Sequence, residues 1–226
     1  MNSRRITFWT VFIVVLGLIV VGLIAAMNKP AKDTLSSLKE PAPITSEDHV
    51  YGPSDAPVTL IEYSDFQCPA CEMYFYEIEQ LLASSTVPIR FVYRQFPLAQ
   101  HPNAVPAALA SEAAGAQGKF WDMYKLIFAN HTEWTELPDA VPTFVKYAET
   151  IGLDIPKFKA DMAPSTSSGQ GNSTLIDKIT NSSKEGVSIG INATPTFFVN
   201  GKPINNPPSY AEFETLIETA AVGGAK

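Results

Sequence analysis

Cys68 and Cys71 are the only two cysteines of this 226-residue chain, and they stand in the run Phe66-Gln67-Cys68-Pro69-Ala70-Cys71. Two thiols at this spacing can exchange disulfides, supply half of a zinc site, or close a structural crosslink. A crosslink over so short a loop constrains the unfolded chain least, so it would stabilise little. A zinc site needs two further ligands; there is no second Cys-x-x-Cys, and His49, His101 and His131 are scattered. Thiol–disulfide exchange is the favoured reading of the three. That chemistry asks for one thiol that ionises readily and attacks, and a second that resolves the mixed disulfide the first has formed.

The flanking residues predict how the pair is held. Val58-Thr59-Leu60-Ile61-Glu62-Tyr63 is rich in β-formers and reads as a buried strand. Glu72 to Leu82 reads as a helix, with Met73, Tyr74, Tyr76, Ile78, Leu81 and Leu82 available for a buried face. Proline at position 69 suits a first helical turn, where its missing N–H is no loss. Cys68 then sits at the helix N-terminus, where the dipole and unpaired N–H groups stabilise a thiolate. Cys71 follows one turn later, in position to attack a mixed disulfide at Cys68. Cys68 is expected to be the exposed, low-pKa thiol and Cys71 the shielded one.

The N-terminus speaks to compartment. Arg4 and Arg5 precede Ile6–Met27, which is 22 residues without a charge. As a helix this run is about 33 Å long, enough to cross a bilayer. A cleavable leader has a shorter apolar core and a small-x-small cleavage site, so an uncleaved signal anchor is preferred over a cleaved signal. N-in, C-out is the expected orientation, although Lys29 and Lys32 also follow the span. An oxidising compartment is where a catalytic disulfide persists. The chain carries net charge −7, and more once Arg4 and Arg5 are set aside, which argues against nucleic acid as a partner. Asn28 to Ser46, with Pro30, Pro41 and Pro43, reads as a tether, and by size the remainder is one domain with 46% hydrophobic residues overall.

Beyond the motif, Pro88 to Phe96 predicts a second strand, stopped by Pro97. The pattern then turns helical at Ala104–Gln117, Lys119–Ala129, Val141–Ile151 and Pro156–Met162. Ala163–Ser173 is small and polar and reads as a flexible loop, after which Thr174–Gly190 resumes a helix. Ala193 to Val199 predicts a strand, Asn200-Gly201 a hairpin turn, Lys202-Pro203-Ile204 its return, and Tyr210–Ala220 a closing helix. The aromatic side chains of the helical stretch are expected in the core.

Glu62-Tyr63-Ser64-Asp65-Phe66-Gln67-Cys68-Pro69-Ala70-Cys71, followed by Gly190-Ile191-Asn192-Ala193-Thr194-Pro195-Thr196-Phe197-Phe198-Val199-Asn200-Gly201, resembles the DsbA-like branch of the thioredoxin superfamily, most of all its membrane-anchored bacterial thiol–disulfide oxidoreductases. The resemblance covers roughly Asp48 to Ala220. It implies an α/β thioredoxin fold at 49–100 and 184–222 with an inserted helical domain at 101–183, preceded by a transmembrane helix at 1–27 and a tether at 28–48. It further implies a nucleophile at Cys68, a resolving cysteine at Cys71, and a cis-proline turn at Thr194-Pro195 whose backbone pairs with extended substrate. Glu62 matches the family's buried acid near the resolving cysteine, with Asp65 as a competitor for that proton-transfer role. Pro69 and Ala70 match the pair that tunes redox potential. Ala70 lacks the hydrogen-bonding histidine found there in the strongest oxidases, which points to a weaker oxidant. Ala163–Ser173 is looser than the pattern and is a candidate hinge.

The function so implied is an extracytoplasmic oxidoreductase that passes its disulfide to unfolded or reduced secreted or membrane proteins. No cofactor is implied. The implied partners are those substrates, a quinone-linked membrane redox protein of the DsbB or VKOR type, and the membrane itself through residues 6–27. The short tether favours a monomer. Two other readings stay open: a reductase or isomerase kept reduced by a membrane electron donor, and a redox-inert binding or chaperone module, against which the retained cysteines and Thr194-Pro195 argue.

Overall fold

A computed structural model of the chain describes residues 9, 12, 16, 17, 19, 37–163 and 173–223. Most of the expected span at 6–27, residues 28–36 of the tether, and residues 164–172 of the expected loop lie outside the described residues. Among the described residues no helix is long and apolar enough to cross a membrane. Residues 38–226 make up one unit, which holds both cysteines and every strand among the described residues.

Five strands form one sheet: β1 (His49–Tyr51), β2 (Val58–Ser64), β3 (Ile89–Gln95), β4 (Thr196–Val199) and β5 (Lys202–Ile204), in the order β1-β3-β2-β4-β5. β2 and β3 run parallel, with Glu62 beside Tyr93, and a parallel pair needs a crossover. Helix α1 (Pro69–Ser84) supplies it. The other pairings are antiparallel. β2 and β3 are buried almost end to end, because the sheet is covered on both faces. The β4–β5 turn places Asn200 at φ 48° and Gly201 at φ 80°, the left-handed pair that a two-residue hairpin requires.

The buried face of α1 differs from the expected one. Cys71, Phe75, Ile78 and Leu81 point inward, while Met73 and Tyr76 are exposed. The helix begins at Pro69, so its phase is set by Cys71 facing the sheet. Positions one and two turns on, 75 and 78, must then follow it inward.

Between β3 and β4 the chain makes α2 (Ala104–Gly115), α3 (Phe120–Ala129), α4 (His131–Trp134), α5 (Val141–Thr150), α6 (Ile155–Met162) and α7 (Ser173–Ser188), and α8 (Tyr210–Gly223) closes the fold. This is the expected α/β architecture with a helical insertion. α2 is buried on nearly all sides, which its alanines permit by keeping neighbouring helices close. α7 runs through position 183, so the expected boundary of the insertion falls inside a helix. Gly186 on α7 lies against the sheet: a Cβ there would meet the Phe96 ring at 2.7 Å and Tyr63 at 3.2 Å.

The apolar interior has two parts. The larger joins α1, α8 and the insertion to one sheet face through residues such as Phe66, Phe75, Tyr124 and Phe197. The smaller, on the other face, joins Ile61, Tyr63, Phe96, Ile189 and Phe198. Leu38 and Ile44 pack on it, which corrects the expected tether. Residues 38–48 are docked rather than free: Lys39 N–H donates to the Ile189 carbonyl at 2.9 Å and Ala42 N–H to Glu185 Oε1 at 2.9 Å. Arg94 reaches Asp48 Oδ1 at 2.8 Å and the Ala42 carbonyl at 2.9 Å. A proline-rich composition indicates an irregular backbone, and such a backbone can still be held from outside by buried side chains.

Candidate active site

Cys68 is the residue that opens α1, with extended backbone at φ −72° and ψ 122°, and Pro69 takes the first helical position. Both cysteines are free thiols in this structure. The Cys68 pKa is lowered from 9.0 to about 5. The largest cause is a hydrogen bond from the Cys71 side chain; the Thr194 side chain and the N–H groups of Cys71 and Ala70 add to it, against the opposing effect of burial. The helix N-terminus therefore acts through identifiable donors, as its unpaired N–H groups predict. Burial pushes the Cys71 thiol well above its ordinary value, and the thiol of Cys68 and the Glu62 carboxylate push the same way. The expected exposure of Cys68 is corrected to a narrow opening: it is 7% exposed, against 0% for Cys71.

The Thr194–Pro195 bond is cis, and it faces the thiols: Cys68 Sγ lies 3.5 Å from the Thr194 carbonyl oxygen. Thr194 Oγ1 is buried beside Cys68, near enough to lower its pKa but not at hydrogen-bond geometry to any protein group. The turn is held by residues that sequence reasoning does not single out. Asn206 Nδ2 donates to the Pro195 carbonyl at 3.0 Å, and the Tyr74 hydroxyl donates to the Pro207 carbonyl at 2.8 Å, tying the turn to α1.

Glu62 lies buried on the α1 face of β2, and burial raises its pKa to about 8, with Ser64 lowering it and Cys68 raising it. Asp65, the expected competitor, is fully engaged. Its Oδ1 accepts from Gln67 N–H at 2.7 Å, while its Oδ2 accepts from Leu98 N–H at 2.8 Å and pairs with His101 Nδ1 at 2.7 Å. Asp65 is thereby a structural clamp between the motif and the segment after β3.

Gln67 extends that clamp into the insertion: Asn103 N–H donates to its Oε1 at 2.6 Å, and its Nε2 donates to the Thr135 carbonyl at 2.7 Å. The three histidines, scattered in sequence, each meet an acid: His49 with Glu112 at 2.8 Å, His101 with Asp65, and His131 with Glu72 at 3.2 Å. Only the fold could reveal these pairs, since 36 to 63 residues separate their members. A cavity of about 520 Å³ flanks the opening of α1, walled by Gln67, Pro69, Glu72, His101 and His131 among others. A second, of about 390 Å³, lies between residues 42–49, β3 and α7 and touches neither cysteine.

A low-pKa thiol at a strand–helix junction, a buried partner thiol and a facing cis-proline turn thus meet at the opening of α1. A family model described as Thioredoxin matches residues 45–219. The chain belongs to the thioredoxin family, as a DsbA-like member of that superfamily. It is similar to the oxidised crystal structure of BdbD from Bacillus subtilis, with TM-score 0.69 and 25% identity over 83% of this chain and 100% of that one. The fold is shared with alpha-DsbA1 of Wolbachia pipientis, with TM-score 0.68 and 21% identity over 80% and 94% of the two chains. Curated relatives include a Na(+)/H(+) antiporter NhaA 1 of Mycolicibacterium gilvum, 36% identical over 185 residues, 80% of this chain. The chain spans 28% of that relative's length.

Proposed function

We propose that the protein is an extracytoplasmic thiol–disulfide oxidoreductase that transfers a Cys68–Cys71 disulfide to reduced protein substrates. The observation that carries this reading is the asymmetry of the two thiols, with Cys68 brought down to about 5 and Cys71 pushed up, one helical turn apart. In the disulfide form, a substrate thiolate attacks Cys68 Sγ. The Cys68–Cys71 bond breaks, and Cys71 leaves with the electron pair and takes a proton from Glu62. A second substrate thiolate then attacks the substrate sulfur of the mixed disulfide, and Cys68 leaves as a thiolate. A thiol of low pKa is a good leaving group, so the last step favours release of oxidised substrate. The Thr194 carbonyl, freed when Cys68 no longer carries a proton, accepts an N–H from the extended substrate.

The arginines before an uncharged 22-residue run support anchoring by residues 6–27, with the catalytic unit outside the cytoplasm. Re-oxidation then falls to a quinone-linked membrane partner of the DsbB or VKOR type. The test is trapping with a reduced dithiol peptide and the oxidised protein. Cys71→Ser, first activated as a mixed disulfide at Cys68, is expected to hold a single-thiol version of the peptide covalently, since no second thiol is left to release it, and Cys68→Ser to hold none. Failure of the oxidised wild-type protein to form a disulfide in the peptide, with the fold intact, would remove the oxidase reading.

A further inference from the structure

Behind Cys71 the interior carries more polar atoms than an apolar core accounts for. Glu62 Oε2, Tyr93 Oη and Tyr124 Oη are all buried, and none has a hydrogen-bond partner within the protein. Ser64 Oγ, also without a partner at hydrogen-bond geometry, lies near enough to the Glu62 carboxyl to lower its pKa. These atoms gather on one side of the sheet. Glu62 and Tyr93 are neighbours in the parallel β2–β3 register, and the Tyr93 and Tyr124 rings meet edge to face with centroids 5.3 Å apart. Cys71, Phe66 and Phe75 belong to the same cluster of buried side chains. Buried polar groups in folded proteins are nearly always satisfied, by protein or by internal water. An internal water can join buried polar groups that do not bond one another directly.

We infer that Tyr93 and Tyr124, through bridging water, form a hydrogen-bonding chamber that holds the Glu62 carboxylate once its proton has gone to Cys71. The inference rests on the exchange mechanism proposed for Cys68 and Cys71. The two tyrosines are positioning residues, because they touch neither sulfur. When the Cys68–Cys71 bond is broken by a substrate thiolate, the Cys71 thiolate takes the Glu62 proton. That leaves a carboxylate in apolar surroundings, where an unpaired charge is strongly disfavoured. Ser64 Oγ and the two tyrosine hydroxyls are the donors available to it. Burial holds both tyrosines far above the ordinary tyrosine value, so they keep their protons throughout the working range. The other titratable groups that face this chamber are Cys68 and Cys71 on α1, Asp65 beyond β2, and Glu79 opposite Tyr124. Those four are acidic or thiol groups; His49, paired with Tyr93 in the β1–β3 register and stacked on Phe120, is already held by Glu112 at 2.8 Å. Phe197 of β4, paired with Glu62 in register, closes the remaining side.

The test is a ¹³C NMR titration of the Glu62 carboxyl in the dithiol form, with Tyr93→Phe, Tyr124→Phe and the double variant beside the wild type. Loss of a hydrogen bond to a charged group is expected to move the double variant's midpoint upward by about one pH unit. Each single variant is expected to give part of that shift. The Cys68 thiolate absorbance should keep its midpoint near 5 in all four proteins. A merely structural role for the hydroxyls would lower the urea midpoint and leave the carboxyl titration in place. An unchanged carboxyl midpoint in the double variant overturns the inference; if that variant does not fold, unchanged midpoints in both single variants do so. The pH dependence of exchange with a dithiol peptide is expected to move with the NMR midpoint. A wild type that exchanges no disulfide removes the functional reading, and the carboxyl shift still decides the chamber.

Discussion

Cys68 ionises near 5 in the folded dithiol and near 9 when unfolded, so its thiolate adds stability that depends on pH. That contribution is full above 9, is lost as pH falls from 9 towards 5, and is absent below 5. The disulfide form has no such titration. Urea melts of the two forms are therefore expected to show the dithiol gaining on the disulfide as pH rises from 5 to 9. A gap that is constant across this window would contradict the assignment. Alkylation should report the same asymmetry, with Cys68 reacting well below neutral pH and Cys71 resisting. Glu62 carries the opposite sign: its pKa is raised from 4.5 to about 8, so wild-type stability declines as pH rises through that interval. Glu62→Gln removes the decline. It is expected to gain about 3 kcal/mol at pH 7 and almost nothing at pH 4.5, while slowing exchange.

Among the elements, α7 and the sheet approach each other at a single glycine. The Phe96 ring that a Cβ at position 186 would strike is part of the packed smaller core and has little room to move. Gly186→Ala is expected to destabilise by about 1–3 kcal/mol, read as a lower urea midpoint with the Cys68 titration unchanged. Most elements are legible in the sequence, because β-branched runs and proline stops mark β2, β3 and β4, and near-helical spacing marks the insertion. β1 and α4 are not: three and four residues are too short to show a period. The phase of α1 is not legible at Met73 and Tyr76, since both faces of that helix carry large apolar residues and only the packing of Cys71 against the sheet settles which turns inward. At the site, the two cysteines and Thr194-Pro195 are legible from residue type and spacing. Asn206, Tyr74, Gln67 and Asn103 are not, because a polar side chain that supports a backbone far away in sequence leaves no local signal.

At the scale of the molecule, residues 38–48 and α7 share one buried charge centre. Arg94 joins Asp48 and the Ala42 carbonyl, donates to the Tyr63 hydroxyl at 2.8 Å, and lies 3.7 Å from Glu185. Removing Arg94 leaves the Asp48 and Glu185 carboxylates without their cation, although each keeps a backbone N–H, from Thr45 and Ala42. Arg94→Leu is therefore expected to cost about 3–5 kcal/mol in urea unfolding and to open residues 38–48 to protease. The other fastening, from Asp65 to Leu98 and His101 and from Gln67 to Asn103 and Thr135, locks the leading edge of the cysteine motif to the insertion. None of those bonds involves sulfur. Amide exchange at Gln67, Leu98 and Asn103 is thus expected to be alike in the two redox forms. A partner that must take only one form then finds nearly the same shape in both and can tell them apart chiefly by charge: a thiolate at Cys68 in one, a neutral disulfide in the other. Such discrimination should fade in high salt and vanish below pH 5, even where binding itself persists.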